Sequence, residues 1–171
     1  MWRRRVRTSL QCLLGVVLMC MAQAFAHNSS LTFYSIKPED HGWALTVNLA
    51  QASVDSSLSR EVGETRWQSA DGEKQSEWLA RYVAETTTLT IDGHRQELGE
   101  PDVHMGSHET QVRFALPDWP ESSHQLEVYI PGFSNHPNHH NVVYWSTGRG
   151  TVKAVLSERN DYRAVVNTTM E

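Results

Sequence analysis

The sequence predicts an all-β-dominated fold: an antiparallel, immunoglobulin- or cupredoxin-like β-sandwich with a short helical insert. Three observations predict it. Apolar and polar residues alternate at period two in a series of short runs, the pattern of half-buried strands. Gly, Pro, Asn and Asp separate most of those runs at turn-like intervals. Between about residues 51 and 86 the alternation gives way to apolar residues three and four apart, the helix period.

Leu31 and Phe33 open the first strand. Trp43, Leu45, Val47 and Leu49 fall on one face of a second, and the turn residues Pro38-Glu39-Asp40 and His41-Gly42 between the two make them a hairpin. Val54, Leu58 and Val62 are then spaced four apart, while Trp78, Leu79, Tyr82 and Val83 share one helical face, so two short amphipathic helices are expected. Asp71 is placed to cap the second, with Glu73 favourable in its first turn. Their apolar stripes need a partner surface, which puts the pair at one end or edge of the sandwich. Six further strands are expected: Thr88 to Ile91, Val112 to Leu116, Leu126 to Ile130, Val142 to Tyr144, Val152 to Leu156 and Tyr162 to Val166. The turn signals between them are Asp92-Gly93, Pro117 with Pro120, Pro131-Gly132, Gly148 with Gly150, and Asn160-Asp161.

The chain has 171 residues, a length that suits one domain. Residues 1–26 have the three parts of a secretory signal: the basic MWRRRVR, an apolar stretch from Leu10 through Ala22, and the small-residue ending Ala24-Phe25-Ala26. Cleavage there leaves a single domain, 27–171, that begins with His27 and is destined for the periplasm or the exterior. No second apolar run is long enough to span a bilayer. Both cysteines, Cys12 and Cys20, fall inside the signal, so thiolate zinc and iron–sulfur sites are not expected in the exported domain. The net charge of −5 becomes −9 once Arg3, Arg4, Arg5 and Arg7 are removed, which disfavours nucleic acid as a partner.

Five of the nine histidines fall in two short stretches, His104-Met105-Gly106-Ser107-His108 and His136-Pro137-Asn138-His139-His140. Imidazole is the commonest side-chain metal ligand, and pairs carried on loops can converge without helical spacing. His27 adds a second argument. As a first residue it offers both its α-amine and its Nδ1 to one Cu(II) ion, and a distant histidine completes a T of three nitrogens, the histidine brace. His139 or His140 is the favoured distant ligand. His104, Met105, His108 and His136 form a secondary set in which thioether and imidazole suit Cu(I). Solvated polar loops and an accidental junction histidine are the plainer readings of the same residues. Zinc-protease, nucleophile-elbow and phosphate-loop motifs do not occur, and core packing accounts for most of the tryptophans.

Ala26-His27, the strand–helix order, Ile91-Asp92-Gly93 and His140-Asn141-Val142-Val143 together resemble the extracytoplasmic domain of proteins of the HupE/UreJ metal-permease group. The likeness spans nearly all of the exported domain, but the membrane helices of those proteins do not occur here, so transport itself is not implied. More distantly, the chain resembles copper-binding β-sandwiches of the CopC type and the soluble domain of particulate methane monooxygenase. Polysaccharide monooxygenases share the N-terminal histidine, but their disulfides have no counterpart in this sequence. The expected function is extracytoplasmic handling of a metal, copper, with an extracytoplasmic or membrane protein as partner. A copper oxygenase using the same brace and a metal-free interaction module are the alternatives.

Overall fold

A computed structural model describes residues 30–120, 124–147 and 150–167. The expected signal segment, His27 and Gly148 lie outside the described residues. Strands β1 (Leu31–Glu39) and β2 (Gly42–Ala50) form the expected hairpin, with Glu39 opposite Gly42 across the turn. Three helices follow: α1 (Gln51–Val62), α2 (Glu64–Ser69) and α3 (Gly72–Glu85). The remaining strands are β3 (Thr88–Ile91), β4 (His94–Arg95), β5 (Pro101–Met105), β6 (Glu109–Leu116), β7 (Gln125–Tyr129), β8 (His140–Thr147), β9 (Gly150–Leu156) and β10 (Arg163–Asn167).

The strands form two antiparallel-rich sheets, one ordered β5-β6-β2-β1-β8-β9 and the other β10-β7-β3-β4. Their alternating faces, with the apolar stripes of the helices, meet in one core built around Tyr34, Ile36, Leu45, Val47, Leu89, Val128 and Trp145. The architecture is sandwich-like, with one departure from the all-antiparallel expectation: β1 pairs with β8 in parallel, Leu31 opposite His140 and Ile36 opposite Trp145. A parallel neighbour cannot be reached by a tight hairpin, and here the connection is nearly the whole domain.

The helical insert has three segments instead of two, because Gly63 at φ 94° breaks the run after Val62. Asp71 caps α3 as expected, its carboxylate accepting from the Lys74 N–H at 2.8 Å. Trp78, Leu79 and Val83 are buried from that helix, each worth about 1.5 to 3 kcal/mol of apolar burial. Trp67, Trp119 and Trp145 are also buried, and Trp43 stacks on Trp119 with centroids 4.9 Å apart. Among the described residues no helix is long and apolar enough to cross a membrane.

The two strands with no counterpart in the expected set, β4 and β5, lie at sheet edges. Edge strands bury little, so β5 alternates only weakly, Val103 and Met105 half-buried between exposed Asp102 and His104. Tyr162, expected to begin the last strand, instead sits in the preceding turn at φ 55°.

Candidate functional site

Between β7 and β8 the chain makes three successive turns. Ser134 N–H donates to Pro131 O, His136 N–H to Phe133 O, and His139 N–H to His136 O, at 3.1 to 3.2 Å. In the last, Pro137 supplies the fixed φ of a turn's second position and Asn138 the positive φ, 59°, of its third. That is the type II pattern. It brings the ends of the turn, His136 and His139, side by side, with ring centroids 6.1 Å apart and planes inclined by 40°.

Asn141 anchors these turns from β8. Its Nδ2 donates to Ile130 O (2.8 Å) and Gly132 O (3.0 Å), which leaves Oδ1 as an acceptor facing His139 Nε2 at 3.1 Å. His139 Nε2 must therefore carry the proton, and it also lies 3.2 Å from Thr32 Oγ1. Nδ1 of the same ring is then an unprotonated lone pair. It is buried and has no hydrogen-bond partner, although buried polar atoms are nearly always satisfied. His139 is 1% exposed, with the Phe133 ring 5.9 Å away. Burial holds its pKa far below the ordinary histidine value, at about 4; the bond to Asn141 offsets part of this, and His136 and His140 push it further down. The ring is neutral at pH 7.

His136 follows the same logic. Ser57 on α1 gives its hydroxyl proton to Asn135 Oδ1 at 3.2 Å, so the 3.2 Å contact between Ser57 Oγ and His136 Nε2 is donated by the imidazole. In the neutral ring this places the His136 lone pair on Nδ1. His140 has the opposite tautomer, with Nδ1–H donating to Asn138 O at 2.7 Å. Strand alternation sets it on the face away from Asn141 and the core.

The turn residues from Ser134 through His140 form one wall of a cleft of about 480 Å³, whose other wall is Ser157, Glu158, Arg159 and Tyr162. Ile130 N–H, just before the histidine turns, donates to Tyr162 O at 3.0 Å and so ties them to the second wall, whose own turn is closed by Tyr162 N–H to Ser157 O at 2.9 Å. Backbone strain concentrates here. Of the five non-glycine residues at positive φ among those described, Phe133, Asn138, Asp161 and Tyr162 lie on or beside the cleft, and only Asp92 sits elsewhere, in the β3–β4 turn. Such conformations cost of order 1 kcal/mol or more each and gather where a site constrains the chain.

Comparison with known family models and with curated proteins returns no match. Function must be argued from the cleft itself.

Of the secondary set, His136 lines this cleft, but His104, Met105 and His108 do not join it. Met105 is level with Thr110, Leu49, Thr32 and Asn141 across the sheet, so β5 stands four strand spacings, about 19 Å, from β8. His104 and Met105 occupy opposite faces of β5, Met105 packs against the core, and His108 lies in the turn before β6 with its carbonyl accepting from Gln51 N–H. Among the described residues no group of three or more His, Cys, Asp or Glu side chains is placed to hold a metal ion. The fold brings together two of the candidate nitrogens, from His136 and His139, with His140 beside them.

Thr32, Ser57, Asn135, Asn141 and the Ser157–Tyr162 wall were not foreseen as parts of a site. Two signals for them do exist in the sequence. Pro137-Asn138 between histidines spells a type II turn, and Asn141 shares strand parity with buried Val143 and Trp145.

Proposed function

We propose that the chain is an exported copper-handling protein whose metal site is the histidine cleft. One observation carries the reading: the unpartnered, unprotonated Nδ1 of buried His139, on a ring whose other nitrogen is fixed by Asn141. A neutral imidazole tied at one nitrogen and bare at the other is the configuration of a metal ligand held by an outer hydrogen bond. Its donor set suits copper, because imidazole nitrogen is a good copper ligand and needs no proton displaced at neutral pH.

The site would be completed from the N-terminus. Ser30 O accepts from His140 N–H at 2.8 Å, so the chain reaches β1 directly beside the histidine turns. His27 is three residues upstream of Ser30, a reach of about 10 Å when extended. In this reading His27 supplies its amine and Nδ1 and His139 the third nitrogen. His139 is preferred to His140, which also has a free ring nitrogen but sits on the opposite, more exposed face of β8, whereas the free nitrogen of His139 is buried. The copper itself would be cargo, accepted and released, with an extracytoplasmic or membrane partner receiving it.

Mass spectrometry of the exported protein fixes the terminus, and equilibrium dialysis against Cu(II) then compares the native form with one carrying a single added residue before His27. One bound equivalent is expected, weakened by about 100-fold or more in the extended form because the amine leaves chelating position. Equal affinity of the two forms, or a terminus other than His27, refutes the brace. No binding by either removes copper handling altogether.

A further inference from the structure

The pair formed by His136 and His139 has a geometry of its own, separate from any contribution of His27. Each ring engages a neighbour through Nε2–H, His139 with Asn141 and His136 with Ser57, so each keeps its lone pair on Nδ1. An ion about 2.0 Å from an imidazole nitrogen lies about 3.2 Å from that ring's centre, so two rings on one ion have centres about 4.5 Å apart at a right angle and about 6.4 Å apart when opposed. The observed 6.1 Å is close to the opposed limit.

Two further points bear on the charge of the ion. Neither ring carries a negative charge to offset an ion's, and His139 lies in the core beside Phe133, which itself packs edge-on to Tyr82 at 5.1 Å. The cost of moving an ion into such surroundings scales with the square of its charge, so a divalent ion is opposed about fourfold more strongly than a monovalent ion of equal size. A residue chelating planar Cu(II) through amine and Nδ1 also takes two adjacent corners and leaves no opposed pair. Two imidazole rings at nearly the opposed separation, one of them buried, therefore match a two-coordinate ion of single charge.

We propose that His136 and His139 form a preorganised two-coordinate site for a monovalent d¹⁰ cation, Cu(I), for which Ag(I) is the redox-inert stand-in. The inference rests on the cleft being a metal site, and it adds which oxidation state the fold accepts without the terminal chelate. Alkali cations, which seek oxygen donors and higher coordination numbers, are excluded by the same pair. His139 belongs to both arrangements, so an ion bound with His27 and one bound with His136 compete for it.

The test titrates the exported protein with Ag(I) while recording the histidine ring nitrogens by ¹⁵N NMR. One equivalent should move the Nδ1 resonances of His136 and His139 and leave their Nε2–H groups protonated. His136→Ala should weaken Ag(I) binding by about 100-fold, whereas His140→Ala and the form extended before His27 should bind as the native protein does. His136 is half-exposed on a turn, so its variant keeps the test meaningful if a His139 variant does not fold. Binding unaffected by His136→Ala, shifts at Nε2 instead of Nδ1, or no Ag(I) binding would each overturn the proposal. Cu(II) bound through His27 without Ag(I) binding overturns this inference alone. Ag(I) bound by the pair without Cu(II) binding overturns the brace and leaves the pair standing.

Discussion

His139 couples the site to pH. Its folded pKa of about 4 lies below the unfolded value near 6.5, so the unfolded chain binds its proton first as pH falls. The stability contributed by keeping the ring neutral is complete above about pH 6.5, is lost progressively on acidification, and is gone below about pH 4. The loss should be about 2 kcal/mol after allowance for solvent screening. Urea midpoints measured from pH 7 to pH 4 should show it, and His139→Gln should flatten that part of the profile; an unchanged slope in the variant assigns the dependence elsewhere. Asn141 is the second residue on which the site turns. Asn141→Leu strands two carbonyls and leaves the His139 Nε2–H only its contact to Thr32 Oγ1, and unmet buried groups of this kind cost about 1 to 3 kcal/mol each. Chemical denaturation should register a loss of at least one such group, and ring ¹⁵N shifts should show His139 divided between its two tautomers.

At the scale of elements, the turns between β7 and β8 depend on backbone shapes that few side chains allow. A Cβ on Gly132 would stand 2.7 Å from Thr86 Oγ1 and 3.5 Å from Tyr34 Oη, so Gly132→Ala should destabilise by about 1 to 3 kcal/mol as the loop is pushed off the end of α3. Asn138→Gly should be tolerated, whereas Asn138→Val, β-branched at φ 59°, should cost about 1 to 2 kcal/mol and loosen the pairing of His136 with His139. Thermal melts of the three variants check the order. Much of the fold was legible at this scale. The β1–β2 hairpin, the Asp71 cap and the Asp92-Gly93 turn each follow from local rules that the sequence obeys, with Asp92 and Gly93 both at positive φ as a tight hairpin turn requires. What was not legible was non-local. Edge strand β5 gains its conformation from pairing with β6, and the buried lone pair of His139 exists only because Asn141, two residues on, spends its amide on carbonyls nine and eleven residues earlier. Periodicity cannot report either.

For the whole molecule, sheet order decides which histidines can act together. With about 19 Å between β5 and β8, replacing His104 and His108 together by Ala should leave copper affinity at the cleft unchanged within about twofold; dialysis of that variant beside His136→Ala checks it, and a large loss would mean that the two histidine stretches meet after all. The parallel pairing of β1 with β8 has a kinetic consequence. Thr32 meets Asn141 across 109 positions of chain, and contacts of such sequence separation form late, because the loop they close must first give up its entropy. β2 can pair with β1 as soon as both are made, but Thr32 cannot meet His139 until nearly the whole domain has been synthesised. A chain stalled, truncated or clipped before β8 can own a complete β1–β2 hairpin and a capped α3 and still hold no ion. Metal uptake would then report that folding is finished: copper offered during refolding should be taken up with the slowest phase, after the helical signal has already returned.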